Sequence, residues 1–201
     1  EEGYQCTDAC DRQGEDLGQG VIVSEECTIE HPAPASLLGT GVCTNGQGGG
    51  DELAQGDRVE SVAEGVTFHE RAIDPVDGVG EPFLLMETEV TQELYLAVMG
   101  ENPSHFTGDL QRPVETVSWE EGIRFANALS TAMGLQPAYD GDDNDAALIE
   151  GANGFRYPLE AEWEWAARCG EDHEYAGSDN IDDVAWYWEN SNTQTHPVGL
   201  K

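Results

Sequence analysis

Forty-one acidic residues against eight basic ones give this chain a formal charge of −33, and that imbalance limits its folds more than any single motif. Most of its carboxylates have no cation to meet and must stay in water, while the 38% of residues that are hydrophobic build a core. Seven of the eight cations are arginine, and Lys201 is the one lysine. A field of this sign repels nucleic acid and anionic lipid, which removes both as partners. Three readings of the charge stay open. It is a solvated acidic surface that keeps an exported protein in solution, a halophilic adaptation in which salt screens self-repulsion, or a dedicated cation-binding surface. No run of eighteen apolar residues exists, so no transmembrane segment is expected. No basic segment followed by an apolar one opens the chain, which begins at Glu1 and reads as a mature or trimmed form.

Cysteine usage divides the chain. Cys6, Cys10, Cys27 and Cys43 fall early, and Cys169 stands far downstream. The Gly-rich region around the first four has no core of its own, which is the composition of an extracellular segment stapled by disulfides. Four cysteines allow three connectivities, and all three stay open. Zinc is the rival reading, weakened because no CxxC pair is present. We read residues 1–56 as a Cys/Gly-rich extension with disulfides, containing the flexible run from Asn45 to Gly50, and residues 57–201 as the compact domain. Val21, Ile22 and Val23 form a candidate strand in the extension.

Within the compact part, residues 59–68 and 82–86 read as strands. Residues 89–100 predict a short helix. Thr91 caps it, Leu94, Tyr95, Val98 and Met99 form an apolar stripe, and Gly100 supplies the left-handed stop. Residues 113–134 predict a second helix: Ser118 and Glu121 make a capping box, and Trp119, Ile123, Ala126, Leu129 and Met133 recur at helical spacing before Gly134. A third is predicted over residues 159–170, with Trp163, Trp165, Ala166 and Ala167 inside and Gly170 ending it. Residues 139–145 read as a hairpin tip. Short helices, small antiparallel sheets and much loop make the fold class α+β and loop-rich. Loops of that extent need tethering, expected from buried tryptophans with Arg and Asn partners.

Four blocks carry a family resemblance: METEVTQELYLAVMGENPSHF (86–106), RPVETVSWEEGIRFANALS (112–130), GFRYPLEAEWEWAARCG (154–170) and AWYWENSNTQTHPVG (185–199). In this order and spacing they resemble the formylglycine-generating-enzyme, or sulfatase-modifying-factor, domain. The resemblance implies a C-type-lectin-like fold, often with bound calcium. It implies, for enzymatic members, oxidation of a sulfatase cysteine to formylglycine, using oxygen and a copper ion held by two cysteines. Relatives include iron-dependent sulfoxide synthases and non-catalytic display domains. In the family the catalytic cysteines follow these blocks, so the domain is expected to be incomplete at the C-terminus and to continue past Lys201. No cysteine here matches a catalytic position, and no catalytic residue is carried over. Leu159 departs from the family, which usually places a capping Thr there.

Asp140, Asp142, Asn144 and Asp145 resemble the start of a calcium loop, with oxygen ligands at alternate positions. The sixth position is Asp145 rather than Gly and the twelfth is Gly151 rather than Glu, so a solvated acidic turn is the plainer reading. Asn190 stands where some family members place a calcium-ligating Asn; satisfying local backbone is its plainer role. The five histidines share no metal-ligand spacing. Glu160, Glu162 and Glu164 split over two faces of a helix and read as favourable charge at its N-terminus. Trp163, Trp165, Trp186 and Trp188 either line a sugar or peptide groove or, as in relatives, pack in the core. Arg156 and Arg168 read as buried or half-buried carboxylate partners.

The functional expectation is a secreted domain of this family that, as given, lacks the catalytic cysteines and does not catalyse. One alternative is the N-terminal portion of an active copper-dependent oxidase. Another is an extracellular binding or structural assembly module with a protein or glycan ligand, or one that self-associates. Its expected place is extracellular, at the cell surface or periplasmic, in an exporting bacterium. Calcium is the candidate cofactor at Asn190, Asp140, Asp142 and Asn144, and copper enters only if residues past Lys201 supply a cysteine pair.

Overall fold

The computed structural model describes residues 56–74 and 81–201, together with the backbone of a two-residue strand, β1 (Leu38–Gly39). The four early cysteines and the strand expected at residues 21–23 lie outside the described residues.

Residues 59–68, expected as one strand, belong to two. β2 (Arg58–Ala63) turns at Glu64 and Gly65 into β3 (Val66–Ile73), with φ of 48° and 84° at the two turn residues. A two-residue turn with both φ positive matches the twist of the flanking strands, and glycine adopts that conformation without a Cβ penalty. β4 (Phe83–Met86) follows as expected. With β5 (Phe155–Arg156), which is too short to leave a periodic signal, the strands form one sheet in the order β2-β3-β4-β1-β5. Every neighbouring pair is antiparallel. β1 comes from the segment assigned to the extension, so that segment supplies backbone to the sheet.

The first two helices form where their local signals put them. In α1 (Gln92–Met99) the Thr91 side chain accepts from the Leu94 N–H at 3.2 Å, and Gly100 closes the helix at φ 79°. In α2 (Trp119–Ala132) the Ser118 N–H donates to Glu121 at 2.7 Å while the Glu121 N–H donates back to Ser118 at 3.3 Å. Ile123, Phe125, Ala126 and Leu129 of α2 are buried against Val90, Leu94, Tyr95, Val114, Met86 and Phe155. Phe125, outside the expected stripe, stacks on Tyr95 with ring centres 5.1 Å apart. Each fully buried side chain of this size contributes about 1.5–3 kcal/mol relative to exposure.

The third helix, α3 (Glu160–Arg168), corrects an expectation. None of its side chains is fully buried; Trp165 and Ala166 pack on Ile73 and Phe83 at the sheet, and Trp163 is half-buried. Cys169 already takes the left-handed conformation at φ 48°, one residue ahead of Gly170. A single turn, α4 (Ile181–Val184), follows under an Asn180 cap.

Loop tethering falls mainly to residues that the sequence pattern did not single out. Gln92 is fully buried, donates to the carbonyls of Phe106 and Pro113, and accepts from Asn102. Glu115, also buried, accepts from the Phe106 N–H at 2.7 Å and the Thr116 hydroxyl at 2.6 Å. Asn127 bonds both the N–H and carbonyl of Tyr139, and Ser130 accepts from the Phe155 N–H at 2.7 Å. An unpartnered polar group at such depth costs about 1–3 kcal/mol, so these side chains hold the irregular segments to the core. Arg156 does make its expected pair: two 2.7 Å bonds run to Glu162, with both side chains largely buried. Arg168 pairs with Glu164 at 3.0 Å, but in solvent.

Candidate functional site

The residues singled out for calcium are engaged in local structure. Asp140 accepts from the Ala147 N–H at 2.8 Å, Asp143 accepts from the Asp145 N–H at 3.0 Å, and Asn144 donates to Glu120 at 2.5 Å. The carbonyl of Asp142 accepts from Arg124 at 3.1 Å. The tip closes as an antiparallel bridge between Tyr139 and Leu148. Asn190 accepts from the Tyr187 N–H at 2.8 Å and donates to the Ala185 carbonyl and to Asp182. Its side chain thus satisfies nearby backbone and holds α4 against residues 187–191.

Copper between two thiolates does not fit these residues. Cys169 is the one cysteine of the compact domain and lies exposed at the end of α3. Among the described residues, no three His, Cys, Asp or Glu side chains gather into a group able to hold a metal ion.

Two tryptophans expected in the core lie at the surface. Trp188 is 80% exposed, and Trp119, at the first turn of α2, is 52% exposed and stacked on Tyr157 at 4.2 Å. Trp186 is partly exposed, lies 3.9 Å from the ring of His196, and has the Lys201 ammonium 4.5 Å from its ring centre. First-turn and loop positions have one side open to water, which helical spacing alone does not reveal.

A cleft lies elsewhere among the described residues, between the sheet and the start of α1. Its volume is about 160 Å³. Phe68, Met86, Val90 and Leu94 line it together with polar groups that make up the larger part of its surface, and Val198 forms part of its wall. That wall is fixed by the Val198 N–H donating to the Gln111 carbonyl at 2.9 Å. The rim is polar. Glu87 receives Arg58 at 2.8 Å and also pairs with Arg71. Partial burial pushes its carboxyl up, but the hydrogen bonds and charge of the two arginines outweigh that and hold it below the usual carboxylate range. Glu93 accepts from Gln111 at 2.8 Å.

Glu89 lines the same cleft as Arg58 and Glu87. The residue as a whole is half-buried. Burial pushes its carboxyl above the ordinary range, and a hydrogen bond from its own backbone N–H offsets only part of the effect. Neither Glu89 nor the cleft was marked in the sequence reading. The available signal was a Glu just ahead of the Thr91 cap, at the join of strand and helix, and that alone does not report burial.

Comparison with known proteins bears on this architecture. Residues 49–200 match the family described as Sulfatase-modifying factor enzyme 1-like domain. A protein of Paenibacillus barcinonensis described as "Chaperone protein LppX" is 40% identical, over 58% of this chain and 54% of that protein. The chain thus spans about half the length of this curated relative. The solved structure of Treponema denticola variable protein 1 superposes with a TM-score of 0.64 at 35% identity, covering 72% of this chain and 69% of that one. A crystal structure of CarF matches at a TM-score of 0.49 and 31% identity, over 61% of this chain and 62% of that one. The short helices and small antiparallel sheet agree with the fold of the Treponema protein, and the family match takes in every helix described above. This chain is a member of the Sulfatase-modifying factor enzyme 1-like domain family.

Proposed function

We propose that this domain is an exported, non-catalytic recognition module built on the sulfatase-modifying-factor scaffold. One observation carries the reading: within residues 49–200 the single cysteine is Cys169, exposed and alone, so these residues offer no pair of thiolates for copper. The relative described as a chaperone gives support, since a chaperone acts by binding another protein. The early cysteines Cys6, Cys10, Cys27 and Cys43 pair as disulfides in this reading, as an exported chain permits. Calcium at Asp140, Asp142 and Asn144 would compete with the bonds that Asp140 makes to the Ala147 N–H and Asn144 makes to Glu120.

The direct test offers the chain a peptide bearing a sulfatase-type cysteine, with copper(I) and oxygen, and follows the peptide by mass spectrometry. We expect the cysteine to survive; conversion to formylglycine would overturn the proposal. A second reading is favoured by the family match itself: these residues form the N-terminal portion of a copper-dependent oxidase whose thiolates lie outside residues 49–200. The same assay on the protein purified from its natural source separates the two, because only that reading expects conversion there.

A further inference from the structure

The single lysine of the chain is seated at one corner of its surface. The Lys201 ammonium lies 4.5 Å from the centre of the Trp186 ring and donates to the Asp182 carbonyl. His196 stacks on the same indole, with ring centres 3.9 Å apart and planes 22° from parallel. A ring that close leaves no room for an ammonium on its own side, so the ammonium occupies the other face. The face of an indole is the best aromatic partner for a cation. The carbonyl is available because α4 stops at Val184, and the last carbonyls of a helix find no N–H within it.

Bonds that do not involve Lys201 build this corner. The Asp182 carboxylate accepts from the Tyr187 hydroxyl at 3.1 Å and from Asn190 at 3.2 Å, which fixes α4 beside the aromatic run. His196 bonds to the Ser191 carbonyl at 2.8 Å. Arg112 donates to the Thr195 carbonyl and the Val198 N–H donates to Gln111, so the segment carrying His196 is tied to the loop before α2. The ring and the carbonyl are therefore held in place whether or not a cation sits between them. Asp182 and Asp183 bring two carboxylates on the same turn, a field that favours a cation. Lys201 is itself exposed, so its contact can exchange with another amine from solution.

We infer that Trp186 and the Asp182 carbonyl form a binding site for a primary ammonium on an unbranched aliphatic stem, filled in this chain by its own Lys201 and open to an incoming amine when Lys201 lifts away. The incoming group donates to the Asp182 carbonyl and lies over the face of Trp186 that His196 leaves free. Two sources share this chemistry: a lysine side chain of a partner protein, and a free organic amine. Trp188, two residues on and 80% exposed, offers a partner chain an apolar surface that a free amine does not use. As a statement of what the domain recognises, this rests on the recognition role proposed above. Formylglycine conversion and amine binding are separate readouts, so either reading can fail without the other.

Because the chain has one lysine, its ε-methylene signals in NMR belong to Lys201 alone. In the folded, isotope-labelled chain they should lie upfield of their position in urea, moved by the ring current of the indole. A tripeptide with a central lysine and blocked ends, the same peptide with that lysine acetylated, and n-butylamine serve as unlabelled probes. The lysine peptide or n-butylamine should return the Lys201 signals toward their position in urea, and the acetylated peptide should not. Tighter binding by the lysine peptide identifies a partner's side chain as the source, and equal or tighter binding by n-butylamine identifies a free amine. Lys201→Gln empties the site without altering its walls, so it should tighten binding of the cationic probe by roughly threefold or more. Lys201 signals without an upfield shift, equal displacement by the acetylated peptide, or no tightening in Lys201→Gln would each overturn the inference.

Discussion

Glu70 shows how a single residue can work against the fold that contains it. It lies on β3, almost wholly buried; one oxygen accepts from Ser61 at 2.7 Å and the other has no hydrogen-bond partner. Burial raises its carboxyl above the ordinary range, and the Ser61 bond offsets only part of that. The folded chain therefore binds more protons than the unfolded one between the ordinary carboxylate range and the raised one. Stability falls as pH rises through that window, and the deficit is complete above it. Glu70→Gln keeps the shape and removes the charge, so we expect about 1 kcal/mol of added stability at neutral pH. In urea denaturation this gain should shrink toward zero in acid; a gain that does not change with pH would mean that packing, not charge, is responsible. Gly154 makes the opposite case. A Cβ there would sit 2.2 Å from the Gln136 carbonyl and 2.5 Å from the Ser130 hydroxyl that holds Phe155. Because one of those neighbours is backbone, Gly154→Ala should cost about 1–3 kcal/mol, measured as a lower denaturation midpoint.

Among the elements, α3 carries a defect that its sequence reports and its surroundings partly repair. Leu159 occupies the N-cap, 54% exposed, with no side-chain oxygen to receive the free N–H groups of the first turn. Glu162 supplies half of a cap by accepting from the Leu159 N–H at 2.7 Å while it holds Arg156. Burial pushes the Glu162 carboxyl up, and these two partners overcome that to hold it below its usual range. Leu159→Thr leaves both bonds in place and adds the missing acceptor, so it should stabilise the chain by about 0.5–1 kcal/mol. A thermal melt of the variant that does not rise would show that Glu162 already does the work of the cap. The same helix marks how far the sequence could be read. Caps, capping boxes and glycine stops depend on a few adjacent residues, so α1 and α2 were legible from Thr91, Ser118, Glu121 and Gly100. The hairpin at Glu64 and Gly65 was not, because a non-glycine residue at positive φ is read from geometry rather than composition. The depth of Trp119, Trp165 and Glu89 was not legible either, since burial depends on what packs across from a residue. The family was legible from the four blocks, but the cleft, assembled from β2, β3, β4, α1 and residues 111 and 198, was not.

At the scale of the whole molecule, the charge of −33 competes with a handful of ion pairs, and salt acts oppositely on the two. The arginines are mostly committed to short contacts: Arg58 and Arg71 to Glu87, Arg156 to Glu162, Arg168 to Glu164. The exposed pairs among these contribute about 0–1 kcal/mol each. Repulsion among the remaining carboxylates acts over longer distances and is the part that salt removes, because the screening length falls from about 10 Å at 0.1 M to about 3 Å at 1 M. Repulsion should win, so the melting temperature should rise steadily with sodium chloride. Acid should first act in the same direction, as Glu70 and Glu89, both raised by burial, take protons in the folded chain before the unfolded one. Below the ordinary carboxylate range the sign reverses. Glu87 and Glu162 have lowered values, so their stabilisation is present above that range and is lost as they protonate. The expected profile is therefore a maximum in mild acid that flattens and broadens as salt is added. A melting temperature that falls with salt would mean that the ion pairs outweigh the repulsion. Repeating the neutral-pH series with calcium chloride at matched ionic strength separates general screening from a dedicated site. The side chains of Asp140, Asp143 and Asn144 already serve their own turn or Glu120, so calcium should raise the melting temperature no further than magnesium does. An excess shift with calcium alone would show that this turn opens to take the ion, and would add a metal site to the domain.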